Sequence, residues 1–214
     1  MRIWQRQSTR LKQYFYLIEL TMKSLLLSTI CISFTLLCSP ASAHWMLIDS
    51  ESSVSFVSTK NQHISEVQQF KTLKGEFSPE GELQLEIDLS SIDSGIGIRD
   101  TRMREKLFLV DKFPSANLTA QLPGSVLSLA KGSSISVTLP AELSIMGISK
   151  TVNVTVQVTR KADNGIVATS TQPILISAAD FGLTSGIEIL QKLAGLSGIG
   201  LTVPVNFNLV FVAH

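Results

Sequence analysis

Beyond Trp45 the chain alternates apolar and polar residues with a period of two, and this pattern constrains the fold more than any other feature. Apolar residues occupy every second position from Leu83 to Leu89 and again from Val152 to Val158. Successive side chains of a β-strand point to opposite faces, so each run predicts a strand with one apolar and one polar face. Polar faces rich in Thr, Ser and Asn are typical of antiparallel sheets that expose one side to water.

Turn signals divide these runs into about eight strands. Asn164-Gly165 predicts a tight hairpin, because both residues adopt positive φ readily. Pro140, Pro173 and Pro204 are expected at bulges or sheet edges. Several runs exceed ten residues, which favours an antiparallel barrel over a flat sandwich. The predicted strands lie near residues 46–49, 53–60, 68–77, 82–90, 116–122, 134–146, 149–161 and 166–179, with a further one at 201–213 that follows a helix.

Two segments depart from the alternation and predict short helices. In the first, Met103, Leu107 and Phe108 recur at helical spacing, which predicts a helix over residues 99–110 that Asp100 caps and Pro114 prevents from continuing. In the second, residues 187–196, the apolar face consists of Ile187, Leu190, Leu193 and Ala194.

The start of the chain reads as a leader, residues 1–43. From Met22 it has Lys23, an apolar run of 13 residues and the small residues Ala41-Ser42-Ala43, which is the pattern of a cleaved secretory signal. We interpret residues 1–21 as an over-extended start of translation. Cleavage after Ala43 would leave residues 44–214 as one exported domain in the periplasm, without stable membrane insertion, since the apolar run is too short to span a bilayer.

The predicted mature part excludes several classes of protein. Both cysteines lie in the leader, so residues 44–214 have no thiol chemistry. They carry 13 basic and 16 acidic side chains, a net charge of −3. A nucleic-acid-binding domain would need a basic face, so no nucleic-acid partner is expected.

The predicted mature domain has only three histidines that could take part in catalysis or metal binding. A hydrolase needs a nucleophile with a base held against it, and His63 is the only histidine away from the ends of the mature domain, which are His44 and His214. An alternative is a copper site that joins His44, as a new amino terminus, to His63. We expect neither: no catalytic residue, no metal and no cofactor is predicted.

The segment Arg99–Pro114 is the most charged part of the chain, with eight charged side chains in 16 positions. One interpretation is a structural latch, in which Arg99 and Asp100 bond polar backbone at a barrel rim and Arg104 pairs with Asp100. The other adds ligand contact: Met103, Leu107 and Phe108 face inward, Arg102 and Glu105 face water, and Arg99 or Arg104 meets a ligand head group.

Four motifs carry a resemblance to the YceI-like family. They are the opening strand WMLIDSESSVSF (45–56), the charged stretch SSIDSGIGIRDTRMREKLFLVDKFPSANL (90–118), the hairpin ELSIMGISKTVNVTV (142–156) and ADFGL (179–183). The resemblance covers residues 45–212. It departs from the family pattern at Ala179, where Arg is usual, and at Leu107-Phe108-Leu109, where the family has a double Phe.

The resemblance implies an exported, non-enzymatic, lipocalin-like barrel that binds a polyisoprenoid or another long-chain lipid. An eight-stranded barrel either fills its interior with side chains or holds one small ligand, so a solid-core interaction module stays an alternative, as does a metal-dependent enzyme that uses His44. A homodimer is left open. The expected lumen and lid contacts are Phe56, Phe77, Leu85, Ile87, Met103, Leu107, Phe108, Leu143, Val154 and Phe207.

Overall fold

The computed structural model describes residues 44–214, so the predicted leader lies outside the described residues. Twelve strand segments and three short helices follow one another in this part of the chain. The strands are β1 Trp45–Leu47, β2 Ser53–Lys60, β3 Ile64–Phe70, β4 Leu73–Phe77, β5 Glu82–Asp88, β6 Ile92–Asp93, β7 Ser115–Gln121, β8 Ser134–Ile145, β9 Ile148–Arg160, β10 Ile166–Ser170, β11 Ile174–Ser177 and β12 Thr202–Ala213.

The twelve segments form eight antiparallel strands that close into a barrel. β1 and β2, β3 and β4, β5 and β6, and β10 and β11 are each one strand with a short interruption, and each strand pairs with its neighbours in the sequence. The barrel closes where β1 and β2 pair with β12. This is the all-β, antiparallel, lipocalin-like barrel that the alternation and the resemblance predict.

Two of the predicted strands are interrupted for identifiable reasons. The predicted strand 68–77 starts earlier and breaks after Phe70, because the Ser91 hydroxyl accepts hydrogen bonds from the backbone N–H groups of Lys71 and Thr72, at 3.1 Å each. The predicted strand 166–179 breaks at residues 171–173, where Pro173 has no N–H to donate to a neighbouring strand.

The tightest hairpin is the one that the resemblance predicts within residues 142–156, not the one predicted at Asn164-Gly165. Met146 and Gly147 both have positive φ, 52° and 77°, and join β8 directly to β9, as a two-residue type I′ turn requires. At the predicted site only Asn164 has positive φ, 70°, and the Asp163 side chain accepts a hydrogen bond from the Gly165 N–H instead. The Asn164-Gly165 prediction is therefore wrong in turn type, although a hairpin is present.

The helices occupy two of the longer connections at one end of the barrel and one at the other. α1 spans Gly97–Arg102 and continues as a π-helical turn, Met103–Phe108; α2 spans Gly124–Leu127; α3 spans Thr184–Ala194. In a closed antiparallel barrel alternate connections lie at the same end. We call residues 60–66, 93–114, 146–150 and 178–201 the lid end, and residues 78–81, 122–133 and 161–165, together with His44 and His214, the base.

Direct hydrogen bonds join three of the four lid-end segments. The Asn61 side chain accepts a hydrogen bond from the Ser197 N–H at 2.9 Å, and the Asn61 N–H donates to the Gly198 carbonyl at 2.8 Å. The Arg102 guanidinium donates to the Leu193 carbonyl, so α1 and α3 also touch. These three segments therefore form one packed layer across the barrel mouth.

Candidate functional site

The barrel encloses an apolar cavity of about 220 Å³. Every residue in its wall is Ala, Val, Leu, Ile or Phe. For comparison, an engineered apolar cavity of roughly 150 Å³ stays dry and binds benzene. A cavity of this volume does not fit the alternative in which side chains fill the barrel completely. The side chains of the wall cannot hydrogen-bond a ligand.

The sequence-predicted lumen residues converge on this cavity with one exception. The cavity wall includes nine of the ten: Phe56, Phe77, Leu85, Ile87, Leu107, Phe108, Leu143, Val154 and Phe207. Met103 is buried, with 4% of its surface exposed, but does not line the cavity. It lies at the start of the π-helical turn, where it packs with the rest of the core, so its expected ligand contact is not supported by the geometry.

The π-helical turn after α1 covers the upper part of the cavity, as the prediction for residues 99–110 required. Phe108 is 7% exposed and its ring centroid lies 5.9 Å from that of Phe70, which also lines the cavity. The turn ends at Leu109, which has a left-handed conformation with φ 51°. Glu105 is exposed as expected, whereas Arg102 is half-buried because its guanidinium reaches α3.

Helix α3 supplies a second part of the lid. Ile187 is buried, and it lines the cavity together with Leu183. Leu193, which the sequence placed on the same apolar face, is instead 47% exposed, and Ala194 is also exposed. The inward face of α3 is therefore narrower than predicted, and Leu193 points away from the lumen.

An aromatic cluster closes the base. The Trp45 and Phe77 rings stack with centroids 5.3 Å apart and 7° between their planes, and Phe77 packs edge-on against Phe211 at the same centroid distance. The Arg160 guanidinium lies over the Trp45 ring, 5.3 Å from its centroid. This cluster seals the lumen at the base.

Helix α2 completes the base and was missed by the sequence reasoning. It brings Val126, 2% exposed, under the cavity next to Leu122. The dipeptide Pro123-Gly124 is typical of a turn. Leu122, Val126 and Leu129 nevertheless recur at helical spacing, and this spacing was the signal available. The cavity is thus bounded by one-turn helical structure at its base and by two helices at its lid.

The charged segment forms a polar latch beside the lid. The Arg99 guanidinium bonds the Glu66 carboxylate, the Ser94 hydroxyl at 2.8 Å and the Ser94 carbonyl at 2.8 Å. Glu66 also accepts from Lys60 at 2.9 Å, and these hydrogen bonds from Lys60 and Arg99 lower the pKa of the Glu66 carboxyl. Arg99 thereby ties α1 to β3.

Two details of the predicted latch are wrong. Asp100 does not cap α1 and does not pair with Arg104. Its carboxylate instead accepts hydrogen bonds from the N–H and hydroxyl of Ser94, at 2.9 and 2.5 Å, while Arg104 donates to the Ser90 carbonyl and the Thr101 hydroxyl. Neither Arg99 nor Arg104 lines the cavity, so the geometry favours the latch interpretation for both.

The inner face of β2 and β3 becomes polar towards the lid end. Gln68 on β3 is paired directly with Phe56, and Ser58 is the next inward position of β2 towards the lid end. The Gln68 amide donates to the Ser58 hydroxyl at 2.7 Å. Gln68 is only 4% exposed, and its carbonyl oxygen has no hydrogen-bond partner among the described residues. The interior is therefore apolar from the base upward and polar next to the latch.

The histidines do not form a site. His44 precedes β1 at the base, and His63 follows β2 at the lid end, so the copper site that would join them is excluded by their positions. The His214 N–H donates to the His44 carbonyl at 2.7 Å, which makes the two chain ends neighbours. Among residues 44–214 no three His, Cys, Asp or Glu side chains cluster closely enough to hold a metal ion.

No helix in residues 44–214 has the length and the apolar composition needed to cross a bilayer.

Comparison with known proteins agrees with this architecture. A sequence profile of the YceI-like domain matches residues 45–211. The crystal structure of a polyisoprenoid-binding domain from Saccharophagus degradans, implicated in plant cell wall breakdown, is 37% identical, with 79% of this chain and 98% of that one covered and a TM-score of 0.77.

A more distant structure shares the fold. BcnA from Burkholderia cenocepacia is 21% identical over 77% of this chain and 98% of its own, with a TM-score of 0.59. No curated protein matches the chain significantly.

Proposed function

Because this chain belongs to the YceI-like domain family, we propose that it is a non-enzymatic carrier that holds a polyisoprenoid or another long-chain lipid in the barrel lumen. The observation that carries the proposal is the cavity wall, which consists only of Ala, Val, Leu, Ile and Phe. The related Saccharophagus degradans domain, described as polyisoprenoid-binding, supports the same class of ligand.

The chemistry of the wall selects for an extended hydrocarbon. A ligand with polar groups along its length would lose its hydrogen bonds to water on entry and find no replacement in the wall, at a cost of a few kcal/mol per group. A hydrocarbon loses nothing of this kind, and each CH₂ group that leaves water contributes about 0.8 kcal/mol. Branched isoprene units suit a wall of branched aliphatic and aromatic side chains.

The ligand would lie with its tail towards the base. The aromatic cluster of Trp45, Phe77 and Phe211 closes that end, whereas polar side chains such as Ser58 and Gln68 lie near the lid. A polar head group at the lid end would stay close to water and to these side chains. This orientation leaves the apolar part of the ligand in contact with the apolar wall.

The carrier would act outside the cytoplasmic membrane. The signal pattern from Met22 to Ala43 supports export to the periplasm and cleavage after Ala43. Amino-terminal sequencing of the accumulated protein tests this, with His44 as the expected first residue. A protein that begins at Met22 would contradict the proposal of cleavage.

The test of carriage is the lipid content of the purified protein. Organic extracts of protein from its native host, analysed by mass spectrometry, should contain a long-chain lipid. Ala120→Phe, which places a ring in the cavity wall, should remove most of it, whereas Thr119→Phe, on the exposed face of the same strand, should not. A lipid-free extract from the unmodified protein, or equal lipid in both variants, would contradict the proposal.

A further inference from the structure

The lid end concentrates the apolar side chains that the fold leaves in water. Residues 44–214 expose twelve large apolar side chains, and eight of them belong to the lid end. Near the base the exposed apolar side chains are the pair Met46 and Val212, which lie beside the chain ends and face each other across β1 and β12. Exposed apolar residues scattered singly are ordinary, but a concentration at one end of a domain marks an interaction surface.

Helix α3 shows that this concentration is not required by the fold. Its inner side holds Ile187 and Leu190, which pack against the core. Its outer side holds Ile189 and Leu193, which are 42% and 47% exposed and four residues apart. A helix that only covered a barrel would need one apolar stripe. The second stripe, Ile189 and Leu193, therefore indicates a surface that contacts a partner.

Helix α1 extends the same surface. Ile98, 61% exposed, lies one helical turn before Arg102, whose guanidinium donates to the Leu193 carbonyl at 3.3 Å. Ile98 therefore lies on the side of α1 from which Arg102 reaches α3. We call Ile98, Ile189 and Leu193 the lid apolar surface.

Charge distinguishes the lid end from the rest of the molecule. The lid end carries eight basic and seven acidic side chains, whereas the remainder of residues 44–214 carries five basic and nine acidic ones. Exposed lysines lie on the same helical elements, Lys106 in the π-helical turn after α1 and Lys192 in α3. An anionic surface would repel the base and the barrel wall and would accept the lid end, so the charge distribution orients the molecule on such a surface.

We propose that the lid apolar surface docks reversibly on an anionic lipid bilayer while ligand passes between the membrane and the lumen. The proposal rests on the proposed function, because a lipid in the cavity must leave a bilayer to enter it. Apolar side chains that reach the boundary between head groups and acyl chains, with lysines beside them, are the features of interfacial membrane helices. The docked face is also the face that closes the cavity.

Vesicle flotation tests the docking. Protein purified from cells that express the full chain is mixed with vesicles of phosphatidylethanolamine and phosphatidylglycerol. Ile98→Ser combined with Leu193→Ser should lower vesicle partition at least tenfold. Met46→Ser combined with Val212→Ser removes similar apolar side chains from the base without changing any charge, and this control should stay within twofold of the unmodified protein. Urea unfolding midpoints establish that both variants are folded.

Three outcomes would overturn the docking: no flotation of the unmodified protein, equal flotation of both variants, or a dimer in sedimentation that only the lid variant dissociates. The last outcome would assign the surface to a second copy of the chain. Lipid content, measured on the same preparations, separates this proposal from carriage. Bound lipid without flotation overturns docking alone, whereas flotation without bound lipid supports docking and overturns carriage.

Discussion

Gly186 of α3 packs directly against Leu107 of the π-helical turn. A Cβ placed on Gly186 would lie 2.7 Å from the Lys106 carbonyl oxygen and 2.9 Å from the Leu107 Cα, both backbone atoms that cannot yield by a change of rotamer. Helix α3 and the π-helical turn are therefore so close at this point that only glycine fits between them.

Gly186→Ala should push α3 away from the π-helical turn. We expect a loss of unfolding free energy of about 1–3 kcal/mol, as for other overpacked sites, and faster escape of a bound isoprenoid probe. Gly97→Ala is the matched control, because it also lies in a helix and has no atom near its added Cβ; it should be neutral or slightly stabilising. Equal urea midpoints for the two variants would contradict the close packing.

Phe108→Ala should affect both stability and ligand uptake. Truncation of a fully buried Phe costs about 3–5 kcal/mol, and we expect the lower part of that range because one side of Phe108 already faces a cavity. Probe affinity should fall as well. Arg102→Ala should change either quantity little, since its one hydrogen bond is long and exposed. A variant that lost stability but kept full probe affinity would show that Phe108 only holds the lid in place.

Arg99→Ala separates the latch from head-group recognition. Removal of the guanidinium takes one partner from Glu66, which keeps Lys60, and one from Ser94, which keeps Asp100. Charged hydrogen bonds of this kind contribute about 1.5–3 kcal/mol. Unfolding free energy should fall, while polyprenol and polyprenyl phosphate should bind as they do to the unmodified protein. Arg104→Ala serves as the comparison. Weaker binding of the phosphate alone would restore Arg99 as a head-group contact.

Glu66→Gln should change the dependence of stability on pH. Hydrogen bonds from Lys60, then from Arg99, lower the pKa of Glu66 in the folded protein below its ordinary value of 4.5. A lowered carboxyl pKa stabilises the fold above the unfolded-state value, and this stabilisation is lost as pH falls through the folded-state value. The variant should therefore be less stable than the unmodified protein at pH 7 and equal to it in strong acid.

Urea midpoints at pH 7, 5 and 3 measure this difference. Asp93 contributes a similar background in both proteins, because Lys71 and then the Gly95 N–H lower its pKa to about 2. Glu105→Gln is the control, since Glu105 is exposed and its ammonium neighbour, Lys106, lies 3.8 Å away. A gap between Glu66→Gln and the unmodified protein that stayed constant from pH 7 to pH 3 would argue against the ion pair as its cause.

The alternation of apolar and polar residues predicted most of the barrel, because in a closed sheet the inner face is apolar wherever it meets the lumen. It failed on β3, where Val67 points outward with 69% exposure and Glu66 and Gln68 point inward. The inner face is polar there because the latch takes the place of the lumen. A period of two cannot reveal which face of such a strand is inside.

Much of the candidate site was predictable for a similar reason. Residues on the inner face of a regular strand, such as Leu85 and Val154, line the cavity because every inner-face side chain of a closed barrel points into its interior. The helical contributions were harder. Val126 and Leu183 reach the cavity through connections whose path depends on packing against the rest of the barrel. The helical spacing around Val126 indicates a short helix but not the path that brings it to the cavity.

The stacked pair of Trp45 and Phe77 closes the lumen at the base and so gives it a fixed depth. A tube open at both ends would accept a chain of any length, but a tube with a floor stops the leading end of its occupant at a fixed distance from the rim. A short chain would leave space above it, and a long one would project its last units among the helices of the lid. The closed base would then make binding depend on the chain length of the ligand.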